Sequence, residues 1–179
     1  MKIIIIIILL NLSVCGLYSQ TVKDQELSNA EKFSAKAGTL IQKEFVDLGK
    51  VANAKIQVVY YTDLISSESV SSVRFEYEAA GSYTTDTKIA SLDSDEIEGL
   101  IKSIQFMQDK VFVTTPTNYT EVTFISRGGF KAGCYWDSGK WSPYLKLEQY
   151  DSNSFVSIKK EDFTTILGLL EQAKTMFKK

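Results

Sequence analysis

The chain has 179 residues, a formal net charge of −2 and no histidine, which removes the commonest general base, the commonest metal ligand and every Ser-His or Cys-His nucleophile pair. Its lysines are scattered and its arginines are Arg74 and Arg127 alone, so the clustered positive charge that phosphate backbones demand is missing and nucleic acid is not an expected partner. Gly128-Gly129 is followed by no Lys-Ser or Lys-Thr, and no metal-ligand spacing occurs, so no cofactor is expected.

At the start of the chain, Met1 and Lys2 precede an unbroken apolar run from Ile3 to Leu10, and Leu17-Tyr18-Ser19-Gln20 offers a small residue for cleavage. A positive start, an apolar core of about 7–15 residues and a small residue at the cut mark a secretory signal. Residues 1–19 therefore read as a signal peptide and the product as secreted or periplasmic. The run is shorter than the roughly 20 apolar residues a membrane span requires, so no transmembrane segment is expected after cleavage. Lipid attachment at Cys15 is the lesser alternative, because Val14 is branched where lipoprotein signals place a small residue. Residues 20–179 then suffice for a single domain, with Cys134 as its one thiol, unable to pair within the chain.

Leu27, Ala30 and Phe33 sit at helical spacing and predict a helix over residues 24–36. Residues 37–50 are ambiguous between helix and strand, and the reading places a strand after Gly38. Strands follow at Lys55–Thr62 and Val73–Glu78, the latter alternating Val73, Phe75 and Tyr77 inward with Arg74, Glu76 and Glu78 outward. Another covers Ile89–Leu92. Asp93, Asp95 and Glu96 then open a helix over 97–107, where the helix dipole favours acids and Asp93 with Glu96 has capping-box spacing. The same trio suggests calcium, but it lacks the glycine and the distant glutamate of a calcium loop. Beyond it come strands at Glu121–Ser126, Phe130–Trp136, Trp141–Gln149 and Phe155–Ile158, and a helix over 163–173.

Residues 89–107 and 155–173 align without a gap at an offset of 66. Ile97, Leu100, Ile101, Ile104 and Met107 fall on Phe163, Ile166, Leu167, Leu170 and Ala173, one apolar helical stripe written twice. The chain therefore reads as an internal duplication of about 39–110 and 118–179. The expected fold is α+β: an antiparallel curved sheet from two tandem ββββα-like units, two helices packed on one face, and a possible extra N-terminal helix. This pattern resembles the tandem architecture of secreted beta-lactamase-inhibitor proteins, which implies a helix-on-sheet binding fold and carries over no functional residue.

The densest unusual segment is Cys134–Tyr144. A turn at residues 137–140 pairs Trp136 with Trp141, Cys134 with Pro143, Ala132 with Leu145 and Phe130 with Leu147, all on the core face. Lys131, Tyr135, Ser142, Tyr144, Lys146 and Glu148 lie opposite. Trp136 and Trp141 are ligand-binding candidates if they reach past the helices, and a core-closing pair if they do not. Tyr135 and Tyr144 form a smaller aromatic candidate on the outer face. Asp93 with Asp95, or Asp137 with Glu148, are the carboxylate pairs available for acid–base chemistry. The reading is a non-enzymatic exported binding module of the bacterial envelope, its partner a protein, peptide or glycan and its oligomeric state open. The alternatives are a carboxylate- and tyrosine-based hydrolase or lyase, and a carrier of a small apolar ligand in a cavity lined by Phe75, Tyr77, Trp136 and Trp141. Intact-mass measurement on protein exported by a Gram-negative host should give a chain that begins at Gln20, whereas a mass containing Met1 or a lipid adduct on Cys15 would exclude that cleavage.

Overall fold

The structure, a computed structural model, describes residues 26–80 and 85–177. The expected signal peptide and its cleavage site lie outside the described residues. The element order is α1 (Asn29–Ser34), β1 (Ile41–Val51), β2 (Ala54–Asp63), β3 (Ser69–Ala80), β4 (Thr85–Asp93) and α2 (Ser94–Phe106), followed by β5 (Thr120–Ile125), β6 (Lys131–Asp137), β7 (Lys140–Lys146), β8 (Phe155–Ser157) and α3 (Asp162–Met176). A π-helical turn over Met107–Val111 prolongs α2. The ββββα order thus occurs twice. Each copy builds its own antiparallel four-stranded sheet, β1-β2-β3-β4 (sheet A) and β5-β6-β7-β8 (sheet B).

The repeated stripe is the core. Ile97, Leu100, Ile101, Ile104 and Met107 are all buried, as are Phe163, Ile166, Leu170 and Ala173, while Leu167 packs against them half-buried. α2 and α3 lie side by side. α2 runs along β3 and β4, and α3, although it belongs to the second unit, packs on β1 and β2 of the first. Gly49 makes that approach possible: a Cβ there would stand 3.2 Å from a methyl of Leu169. The inner face of sheet B closes the other side of the core through Ala132, Cys134, Trp141 and Leu145, and Phe75 of sheet A stacks on Phe130 at 4.7 Å. Deleting water from this much apolar surface is the main term favouring the fold.

Ion pairs tie the halves together. Lys174 of α3 meets Glu98 of α2, and Lys88 of β4, largely buried, meets Asp151 of the β7–β8 connection as well as Asp86 of its own strand. A lysine this enclosed is tolerable because its charge is matched, and those carboxylates raise its pKa.

The N-terminal helix is shorter than the periodicity suggests, six residues rather than the thirteen of 24–36, with residues 24 and 25 outside the described chain. Ser28 caps it, its hydroxyl accepting from the Glu31 N–H at 3.1 Å while the Glu31 carboxylate accepts from the Ser28 N–H at 2.8 Å, a full capping box. The helix lies on the outer face of sheet A, where Ala30 and Phe33 bury Val59 and Tyr61. Val58 of β2 therefore faces the main core while Val59 and Tyr61 face the patch under α1. The strand expected after Gly38 is present as β1. No described helix is long and apolar enough to cross a membrane.

If α2 and α3 are equivalent supports of one core, Leu100→Ala and Ile166→Ala should each cost about 2–5 kcal/mol, the usual penalty for truncating a buried aliphatic side chain, while exposed Thr165→Ala should shift stability by less than about 1 kcal/mol. Chemical denaturation checks all three, and a silent Ile166→Ala beside a costly Leu100→Ala would contradict the shared core.

Candidate functional site

The 137–140 turn brings β6 and β7 together in the expected register, Trp136 opposite Trp141, Cys134 opposite Pro143 and Ala132 opposite Leu145. The tryptophans close the core. Their rings lie 5.7 Å apart at 59°. Trp141 is buried, and its indole N–H donates to the Thr114 carbonyl at 3.0 Å, which fastens the segment between α2 and β5 to the hairpin. Trp136 packs half-buried against the same cluster. Both point away from solvent on the outer face, so neither supplies a platform there.

Cys134 is fully buried, its Sγ 3.9 Å from the Met107 sulfur. Burial pushes its pKa up to about 11, the opposite of what a nucleophilic thiolate requires.

The outer face of sheet B gathers a different set. Strand alternation sends Tyr135 of β6, Tyr144 of β7 and Phe155 of β8 to this side, and Tyr119, just before β5, joins them. The four rings form one continuous row. Successive centroids are 6.3 Å apart from Tyr119 to Tyr135, 6.3 Å from Tyr135 to Tyr144 and 5.0 Å from Tyr144 to Phe155, within the range of favourable aromatic pairs. α1 lies on sheet A, while α2 and α3 lie in the core, so these helices leave the row uncovered. Tyr119 is 62% exposed and Phe155 40%, whereas Tyr144 is only 8% exposed because its neighbours flank it.

Gly133 sits at the centre of this face, opposite Thr123 and Tyr144. A Cβ there would come within 2.6 Å of the Val122 carbonyl oxygen and 3.0 Å of Thr123 Oγ1. The bare backbone keeps the floor low. The Thr123 and Tyr144 hydroxyls bond across it at 3.0 Å, and the Tyr119 hydroxyl donates to Glu121. That bond, then desolvation and Glu121's negative charge, push the Tyr119 pKa up to about 12.

Of the sequence candidates, Tyr135 and Tyr144 therefore belong to one surface, and Trp136 and Trp141 to the core. Tyr119 and Phe155 were not among the candidates. The parity that assigns Val156 inward assigns Phe155 outward, a signal readable in the sequence. Tyr119 lies before its strand and gives no such signal.

The acidic trio is structural. The Asp93, Asp95 and Glu96 carboxylates come within 4.8 Å of one another, but Arg127 of the β5–β6 turn binds Asp93 and Asp95 with its guanidinium and Glu96 with its backbone N–H. The Asp93 carboxylate also accepts from the Asn29 and Ala30 N–H groups at 2.7 and 3.0 Å. Glu96 accepts from the Asp93 N–H at 3.0 Å, the return half of a capping box. Asp137 and Glu148 are not brought together: Asp137 is opposite Lys140 at the hairpin tip, and Glu148 lies past the far end of β7 near Lys88.

No protein-family model matches the chain, and neither a curated protein nor a solved structure does. The resemblance to beta-lactamase-inhibitor proteins accordingly rests on element order alone.

Cys134 should resist thiol reagents in the folded protein and react only on unfolding. Cys134→Ser should cost about 1–3 kcal/mol by burying a hydroxyl without an assured partner. Rapid labelling under native conditions would contradict the buried, structural role.

Proposed function

We propose that the chain is a non-enzymatic exported binding module of the bacterial envelope that docks its partner on the outer face of sheet B. The observation that carries this reading is the aromatic row of Tyr119, Tyr135, Tyr144 and Phe155, which crosses the sheet on the side α1, α2 and α3 leave open. Contiguous apolar surface of this kind marks interaction sites. Aromatic side chains suit the task because they present large contact area with few rotatable bonds to fix.

The electrostatics favour binding over catalysis. The carboxylates with resolved shifts, Asp47, Asp63, Glu98 and Asp151, are all shifted downward by hydrogen-bond donors or cations. A general acid working at neutral pH needs the reverse. A carrier is less well supported, because Phe75 is fully buried and stacked on Phe130, and a ligand reaching it would have to displace packed core.

The exported protein should co-sediment with insoluble envelope material. Replacing Tyr135 and Phe155 together by serine should lower the bound fraction at least about tenfold, equivalent to some 1.4 kcal/mol, while leaving the circular dichroism spectrum unchanged. Undiminished binding by that variant would remove the outer face of sheet B from the reading.

A further inference from the structure

Sheets A and B end in four edge strands, β1, β4, β5 and β8. An exposed edge is a template for another chain, and proteins blunt it with bulges, charges or short length. β1 has a register shift between Asp47 and Gly49 and exposes Lys43, Glu44 and Lys50. β4 carries Lys88, whose bond to Asp151 brings the β7–β8 connection against it, and β8 is three residues long. β5 has none of these devices. Its six residues pair with β6 without a break, contain no proline and carry one charge, Glu121.

The open side of β5 presents backbone. The Ser126 N–H donates to the Phe130 carbonyl at 2.9 Å, and antiparallel pairs alternate between bonded and non-bonded positions. Phe124, Val122 and Thr120 therefore bond to β6, and the N–H and C=O groups of Glu121, Thr123 and Ile125 point away from it. Among the described residues β6 is the only strand paired with β5. α2 and the turn that prolongs it run alongside. Between helix and strand lies a depression of about 240 Å³, lined by Lys102, Ser103, Phe106 and Met107 on one side and Val122 and Phe124 on the other. Val122 and Phe124 share a face with buried Cys134 and Ala132, yet both stay half-buried. Phe106 is 61% exposed and Ile125 57%.

We propose that β5 accepts an extended peptide segment of a partner protein as a fifth strand of sheet B, with an apolar side chain of that segment entering the depression against α2. This site is separate from the aromatic row and does not depend on it. The open backbone groups name the occupant: they recur every second residue, and another extended chain matches that period along its whole length. The depression sets the side-chain preference. Phe106, Met107, Val122 and Phe124 are apolar, so the residue seated between α2 and β5 is apolar. Its sequence neighbours turn to the opposite face, beside Glu121 and Ile125, and are free to be polar. A second copy of the chain fits less well. Pairing β5 with β5 about a two-fold axis puts both α2 helices on the same face of the joined sheet, each beside the other's strand.

Residue-resolved hydrogen exchange tests this with a peptide of β5's own length, six residues, that alternates valine and threonine, and with the same peptide N-methylated at every residue. Main-chain bonds supply the affinity in strand addition, so a generic alternating sequence is a sufficient probe. The unmodified peptide should slow exchange of the Glu121, Thr123 and Ile125 amides at least about tenfold, and the N-methylated peptide should not. Ile125→Pro removes one outward donor and leaves the bonds to β6 in place. Phe106→Ser lowers the wall of the depression at an exposed position. Each should weaken peptide binding at least about fivefold with the circular dichroism spectrum unchanged. Should Ile125→Pro disturb the fold, Phe106→Ser alone decides. Tyr135→Ser with Phe155→Ser should bind the peptide as the parent protein does. Absent protection, equal protection by the N-methylated peptide, or binding indifferent to the β5 and α2 variants overturns the proposal. Dimerisation of the protein alone that Phe106→Ser or Ile125→Pro abolishes gives the edge to a second copy and overturns it as well. Loss of peptide binding in the Tyr135 and Phe155 variant would move the site to the aromatic row and remove it from β5.

Discussion

A single buried carboxylate, that of Asp93, holds three parts of the chain in register. It ends β4, starts α2, receives the first two free N–H groups of α1 and pairs with Arg127 from the turn between β5 and β6. Removing a carboxylate from water is costly unless its lone pairs are filled, and here three N–H donors converge on it. The charge is therefore stable only when the N-terminal helix, the first unit and the second unit are all in place. Losing Arg127 would strand a negative charge inside the protein, a situation that typically costs several kcal/mol. The local acid excess that looks like a cation site in the sequence is a joint between units.

The joint sets which faces are used. α3 crosses from its own unit to lie on β1 and β2, so neither unit owns a complete core, and the inner faces of both sheets are consumed in building one. The outer faces then diverge. On sheet A, α1 covers one end, and the other carries a bonded polar chain in which Gln57 links Asp47 to Arg74 and Arg74 reaches Glu76. Those groups satisfy one another. On sheet B the equivalent surface carries the aromatic row. The two ββββα units present the same core stripe and differ on their outer faces.

Much of this was legible in the sequence, for physical reasons that also explain the rest. The hairpin register was readable because a turn of fixed length leaves one pairing that puts Trp136, Cys134 and Ala132 on a common face. The helical stripe was readable because ten positions repeat the same burial demand. β1 was not decided by its own residues. Ile41–Val51 is an edge strand with mostly exposed positions and a register shift between Asp47 and Gly49, so its alternation is faint, and pairing with β2 fixes it. Leu27 keeps helical spacing yet stays outside α1, because the Ser28–Glu31 capping box starts the helix after it. Tyr144 was assigned to the outer face correctly, but not its burial, which depends on Phe155 arriving from β8. The Arg127–Asp93 pair joins residues 34 apart in sequence and leaves no local trace.

The shape of the face bears on how it could bind. It is a floor and not a cleft, lowered at Gly133 and walled on no side by the described helices. A shallow surface gives few contacts per ligand unit, and each association still costs translational and rotational freedom. Two features offset this. The rings stand on paired strands, and the Tyr119 and Tyr144 hydroxyls are anchored to Glu121 and Thr123, so little side-chain entropy remains to be lost on binding. The row also extends through three successive ring pairs, which rewards a ligand that repeats along its length, because each further unit binds as part of an already tethered chain.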